Sequence, residues 1–167
     1  MVKEGLPFVI IPVIIAVIFA VFQLWIGVAI FLLLAAFMAY FFRDPRRTVP
    51  TDENIIVSAA DGRVTRIEEN AEGKLVSVFL SPLDVHINRS PIAGKIVRVI
   101  YNEGRKVPAT RNDASFINER NSLVIQNEKM TVTCTQIAGI LARRIVCWKK
   151  EGETLELGDA ANKNLPI

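Results

Sequence analysis

From Phe8 to Phe42 the chain carries no charged side chain. The run FVIIPVIIAVIFAVFQLWIGVAIFLLLAAFMAYFF has one strongly polar member, Gln23, and far exceeds the roughly 18 to 20 apolar residues that a membrane span requires. As one straight helix it would rise on the order of 50 Å, against a hydrocarbon thickness of about 30 Å. A break is therefore expected between Gln23 and Gly27. The sequence predicts a hydrophobic helical hairpin, Phe8 to Phe22 and Ile26 to Phe42, that dips into one leaflet or barely crosses both, with Trp25 near an interface. Lys3 precedes the run and Arg43, Arg46 and Arg47 follow it, so the positive-inside rule places both ends, and all that follows, on the cytoplasmic side of the cell membrane. Length, and the absence of a small-residue cleavage site in FFRDPRR, argue against a secretory signal. The expected organisation is a membrane hairpin over 1–42, a linker over 43–54 and a β-rich domain over 55–167.

Every Lys and Arg except Lys3, and every Asp and Glu except Glu4, lies beyond the apolar run, and the net charge is +3. RDPRR stands where it could meet anionic head groups at about 1 kcal/mol per charge, or it could serve as a topology signal alone. No basic stripe interleaved with aromatics suggests a nucleic-acid partner. Cys134 and Cys147 lie in strand-like runs without a CxxC pair or clustered His, which points to two reduced thiols and no metal site.

Short β-type runs punctuated by glycines fill the rest. Strands are expected near Ile55 to Ser58, Arg63 to Glu68, Lys74 to Leu80, Gly94 to Tyr101, Ser122 to Gln126, Met130 to Ile137 and Arg144 to Lys149. Single helical turns are expected at Ala114 to Glu119 and Gly139 to Arg143. One internal echo appears: Ser90 to Ile96 carries a P-x-x-G-x-Ile turn, and Lys150 to Asp159 carries EG followed by GD. The two resemble the halves of a biotinyl/lipoyl-type barrel-sandwich, so the fold class expected is mostly β, a barrel-sandwich behind an N-terminal helical hairpin.

The only histidine, His86, lies in Leu80 to Pro91, LSPLDVHINRSP. Histidine has the unperturbed pKa nearest neutrality, so acid–base chemistry near pH 7 would run through this segment. Asp84 beside it suits an Asx-type turn more than direct chemistry. Asp61-Gly62 is a favoured hairpin dipeptide and, alone, would be structural. Adjacent Arg143 and Arg144 could grip a phosphate bidentately or form structural ion pairs, and Asn88 and Arg89 are equally open.

Taken in order, Phe42-Arg43-Asp44-Pro45-Arg46-Arg47, Ser58-Ala59-Ala60-Asp61-Gly62-Arg63-Val64, the LSPLDVHINRSP segment and Gln136 to Cys147 resemble the phosphatidylserine decarboxylase family in its short, membrane-anchored branch. The resemblance spans about Leu6 to Asp159. It implies a proenzyme that cuts itself before a serine and converts that serine into a pyruvoyl cofactor, which decarboxylates phosphatidylserine to phosphatidylethanolamine through a Schiff base. Asp61 would orient His86, and His86 would be the base for self-cleavage or the acid that protonates the product. Asn88, Arg89, Arg143 and Arg144 would be the substrate-binding candidates. The implied partners are a membrane phospholipid with a serine head group, a small pyruvoyl-bearing subunit and a second copy of the chain.

Two departures qualify the resemblance. Many relatives carry a second His three residues after the first, where this chain has Arg89. Relatives also continue past the Gly158-Asp159 turn with an apolar strand ending in Gly-Ser, whereas here Ala160 to Ile167 follow and no Gly-Ser dipeptide occurs. On this reading the chain is truncated before its cleavage site, has no cofactor-forming serine, and leaves a sheet edge uncovered. The rival reading is a non-catalytic membrane-tethered sandwich or a lipid-binding pseudoenzyme, although the carrier version needs a modifiable Lys at a hairpin tip and Lys95 falls inside an expected strand.

Overall fold

The computed structural model describes residues 1–165 except Glu53, Glu72, Asn112 and Leu141, with 162–165 described by their backbone alone. The chain divides into two units, one made of Met1–Arg46 with Pro82–Val85, the other of Arg47–Ser81 with His86–Ile167.

The first unit is a pair of apolar helices, α1 (Leu6–Val21) and α2 (Trp25–Phe41). The break falls where the sequence places it. Gln23 adopts φ 57°, and the N–H groups of Gln23 and Leu24 donate to the carbonyls of Ala20 and Phe19, both at 2.9 Å. These are the two bonds of a Schellman turn, which satisfies carbonyls at the end of α1 with glutamine in the left-handed position that usually takes glycine. Gly27 lies against the Phe19 ring, where a Cβ would overlap the ring carbons, so the helices approach only because this position has no side chain. Phe8 stacks on Phe42 at 5.2 Å between centroids, closing the open end of the pair. Outward, Val21, Phe22, Trp25, Ile26 and Leu33 are exposed. The stretch Lys3–Val21 is long and apolar enough to cross a membrane, and α2 is shorter. Arg43, whose guanidinium lies 3.7 Å from the Tyr40 ring centroid, donates from Nη2 to the Leu83 carbonyl at 2.8 Å and so ties Pro82–Val85 to this unit.

The second unit is built mostly of strands: β1 (Arg63–Asn70), β2 (Gly73–Phe79), β3 (Ile87–Arg89), β4 (Gly94–Asn102), β5 (Arg120–Gln126), β6 (Thr131–Ile137), β7 (Arg144–Cys147), β8 (Thr154–Leu155) and β9 (Ala160–Leu165), with a single helical turn, α3 (Ala114–Ile117). They form a β1-β2 hairpin, a three-stranded sheet ordered β3-β9-β7 and a four-stranded sheet ordered β6-β5-β4-β8. The core comprises Ile92, Ile96, Leu123, Ile125, Leu155 and Ala161. Each of its larger aliphatic side chains contributes about 1.5–3 kcal/mol by leaving water. The two echoing segments pair with each other: Gly94 opposes Leu155, Lys95 opposes Thr154, and Ser90 N–H donates to Asp159 O at 2.7 Å. Lys95 lies within β4 between Gln126 and Thr154 rather than at a hairpin tip.

Two expectations change. Ile55 to Ser58 form no strand, despite three consecutive β-branched residues. Val57 N–H donates to Pro91 O at 3.0 Å, and this single bond does not make a ladder. The residues after Asp159, expected to leave an uncovered edge, instead provide β9, which runs between β3 and β7. Backbone pairing does not require apolar side chains, and Ala161, 1% exposed, completes the core from this strand. The turn expected at Gly139 to Arg143 includes Leu141 and so falls partly outside the described residues.

Candidate active site

The loop before β1 places Asp61. Ser58 Oγ donates to Ala60 O at 2.7 Å, folding the chain back on itself. Gly62 then takes φ 132°, where a Cβ would strike the Phe79 carbonyl, so the turn after Asp61 requires glycine. Asp61 is about half exposed, and its Oδ2 accepts from Arg47 Nη2.

His86 begins the other side of the site. Pro82–Val85 group with the helical unit, and His86 itself groups with the β unit. It is 4% exposed, immediately before β3, and Asn88, two residues on, is 6% exposed. Backbone hydrogen bonds lace β3 to two further segments. Arg89 N–H donates to Ala59 O at 2.8 Å, Val57 N–H to Pro91 O at 3.0 Å, and Gly158 N–H to Ser90 O at 2.9 Å. Arg89 Nη1 adds a bond to Gly158 O at 3.1 Å. The structure thus joins the segments carrying Asp61, His86 and the Gly158-Asp159 turn, which are distant in sequence.

A buried polar face completes the surroundings. On β5 and β6, Ile125 opposes Val132, Leu123 opposes Cys134 and Asn121 opposes Gln136, so one face passes from hydrocarbon to amide along its length. Gln136 Nε2 approaches Asn88 Oδ1 at 3.5 Å, a long and weak hydrogen bond. Asn88 also hydrogen-bonds the Cys134 thiol, whose pKa burial pushes up to about 11 while the Asn88 contact opposes the shift. Asn121 Nδ2 and Gln136 Oε1, both buried, have no hydrogen-bond partner among the described residues. Sequence reading missed these two amides. Their signal was present, because Asn121 falls in phase with buried Leu123 and Ile125, and Gln136 with buried Cys134 and Ala138.

The arginine candidates divide. Arg89 is committed to Gly158 O, as above, whereas Arg143 and Arg144 are exposed. The charge of Arg144 is felt at Tyr101, opposing desolvation and the Glu119 carboxylate, which together raise the phenol pKa. Glu119, nearly buried, pairs with Lys106 at 3.3 Å. A cleft of about 200 Å³ lined by Pro50, Asp52, Ala93 and Leu157 includes none of the candidate site residues.

The chain combines an apolar helix pair with a β-rich unit in which its one histidine is buried. Residues 34–161 match the family model for phosphatidylserine decarboxylase. The chain is 41% identical over 165 residues to a phosphatidylserine decarboxylase proenzyme of Carboxydothermus hydrogenoformans, covering 95% of this chain and 77% of that protein. It is 37% identical over 164 residues to a proenzyme of the same name from Desulfotalea psychrophila, covering 93% and 77%, and 40% identical over 148 residues to one from Pelodictyon phaeoclathratiforme, covering 83% and 70%. The chain belongs to the phosphatidylserine decarboxylase family.

Proposed function

We propose that this chain supplies the acid–base half of a phosphatidylserine decarboxylase site, acting on a phospholipid at the membrane surface that its helical hairpin occupies, with the β unit on the cytoplasmic side. The lacing of the Ala59, Arg89 and Gly158 backbones carries the reading, because it brings the loop of Asp61 beside the segment that holds the buried His86. His86 is the base that takes the hydroxyl proton in self-cleavage, and it later holds the proton that replaces the departing carboxyl group at the α carbon. Asp61 orients that step, and Arg47 keeps its carboxylate in place. Asn88 and Arg89 shape the substrate side, while the exposed Arg143 and Arg144 are available to a lipid phosphate. The pairing of Ser90–Ile96 with Lys150–Asp159 supports a barrel-sandwich of biotinyl/lipoyl type.

The family implies a pyruvoyl group, which would supply the electron sink for loss of the substrate carboxylate as CO2. The orphaned amide atoms of Asn121 and Gln136 fit a site that accepts a small polar group, and His86 and Asn88 are the residues that would border it. No serine follows a glycine within the 167 residues, so the precursor serine would be contributed from outside them.

The test is a chimera of residues 1–159 continued by the part of the Carboxydothermus relative that its alignment leaves uncovered. The expected result is self-cleavage, seen as two bands, and release of phosphatidylethanolamine from phosphatidylserine, both abolished by His86→Ala. A folded His86→Ala chimera that still cleaves and decarboxylates overturns the assignment of His86.

A further inference from the structure

Two buried amide atoms without partners are costly. Each unsatisfied group forfeits about 1–3 kcal/mol of desolvation, and a fold that keeps both has a use for them or a partner outside the chain. Here they adjoin. Asn121 and Gln136 oppose each other across β5 and β6, where facing Cβ atoms lie about 4.5–5.5 Å apart. Asn121 is 2% exposed and offers a free donor, and Gln136, 3% exposed, offers a free acceptor. Gln136 also reaches Asn88, which follows His86 by two residues in the chain.

A donor beside an acceptor is the complement of a group with an anion beside a cationic donor. The carboxylate and ammonium of an α-amino acid have that arrangement. We propose that Asn121 and Gln136, steadied by Asn88, recognise the amino-acid end of a serine head group, Asn121 Nδ2 donating to the carboxylate and Gln136 Oε1 accepting from the ammonium. This rests on the decarboxylase reading and names the residues that select its substrate.

Neutral amides suit that task better than a guanidinium. A decarboxylation drains charge from the carboxylate as CO2 forms, so an ion pair to that group stabilises the ground state more than the transition state and raises the barrier. Amide donors hold the group in place with a smaller difference between the two. The arginines accord with this division. Arg89 is engaged with a backbone carbonyl, and Arg143 and Arg144 are exposed, where a phosphate rather than a carboxylate would meet them.

The test uses the full chain in detergent micelles with side-chain amides labelled for NMR, titrated with glycerophospho-L-serine and with glycerophosphoethanolamine, which keeps the phosphate and amine but lacks the carboxylate. The serine probe is expected to shift the Asn121 and Gln136 side-chain amides saturably, whereas the ethanolamine probe moves Gln136 and leaves Asn121 in place. Asn121→Asp, which sets an anion against the carboxylate, should weaken the serine probe at least tenfold and change the ethanolamine probe less than twofold. Should that variant unfold, Asn121→Ser and the wild-type titration still decide. Unmoved amides, equal shifts from both probes, or detection of a direct Asn121–Gln136 side-chain hydrogen bond in the chain without probe each overturn the inference. Amides that move only when a peptide from the Carboxydothermus relative is added overturn it in favour of a polypeptide occupant. If the serine probe binds with both amides unmoved, the recognition site is wrong and the decarboxylase reading survives; loss of the decarboxylase reading shows instead in the chimera, as cleavage independent of His86.

Discussion

Arg89 N–H donates to the Ala59 carbonyl at 2.8 Å, fastening the loop that carries Asp61 to the strand that follows His86. The guanidinium of Arg89 makes a separate bond to Gly158 O, so backbone and side chain of one residue hold two neighbouring segments. The contributions separate by mutation. Arg89→Ala keeps the N–H and should cost about 1 kcal/mol, whereas Arg89→Pro removes the donor to Ala59 and should cost about 3 kcal/mol or more. Urea denaturation of the two variants checks this, and equal midpoints would mean that the Ala59 bond contributes nothing.

Arg47 and Asp61 form a half-exposed ion pair, and such pairs add at most about 1 kcal/mol to stability. Arg47→Ala is therefore expected to leave the denaturation midpoint nearly unchanged. If the pair positions Asp61 for His86, the same substitution in the self-cleaving chimera should slow cleavage about tenfold, with Arg47→Lys recovering part of the rate. Cleavage at the wild-type rate in Arg47→Ala would make the pair an incidental surface contact.

The helix pair was legible because an uninterrupted apolar run longer than a bilayer must turn, and Gln23 was its one strongly polar residue. The long strands were legible for a similar reason, since Thr131–Ile137 alternates strongly enough to fix a face and Leu123–Ile125 is a continuous apolar run. The short ones were not. Ile87–Arg89 spans three residues between proline turns, too few for a period, and Ala160–Leu165 reads as polar tail because its place depends on the β3 and β7 backbones that flank it. Ile55 to Ser58 was over-read from β-branched content alone, which reports fit to a pleated surface and supplies no partner. Among the candidate site residues, His86 and Asp61 stood out by residue type and motif order. Asn121 and Gln136 did not, because amides in a strand look like surface residues until the register shows which face they share.

The contact of Gly27 with Phe19 predicts a specific defect. Gly27→Ala forces a methyl into the ring, and overpacking of this kind costs about 1–3 kcal/mol. Thermal unfolding of the helical signal in detergent should fall accordingly. Adding Phe19→Ala should restore part of the loss, since the methyl then occupies space the ring has vacated. A Gly27→Ala chain that unfolds at the wild-type temperature would show that the helices can separate at no cost there.

Cys134 couples the buried face to pH. Burial raises its pKa from 9.0 to about 11, so the folded state holds the thiol proton over a range in which the unfolded chain releases it. By linkage, the stability this thiol allows is full below pH 9, declines as the pH rises toward 11, and levels off beyond, for a loss on the order of 2–3 kcal/mol. Denaturation midpoints across that window should fall in the wild-type chain and fall less in Cys134→Ala, with the difference closing below pH 8. The same burial makes Cys134 slow toward a thiol reagent at pH 8, where the partly exposed Cys147 reacts. Because Asn88 hydrogen-bonds Cys134 and also contacts Gln136, Asn88→Ala should raise the Cys134 pKa further and slow its labelling at pH 10. Faster labelling in Asn88→Ala would instead mean that Asn88 chiefly keeps water out of this face.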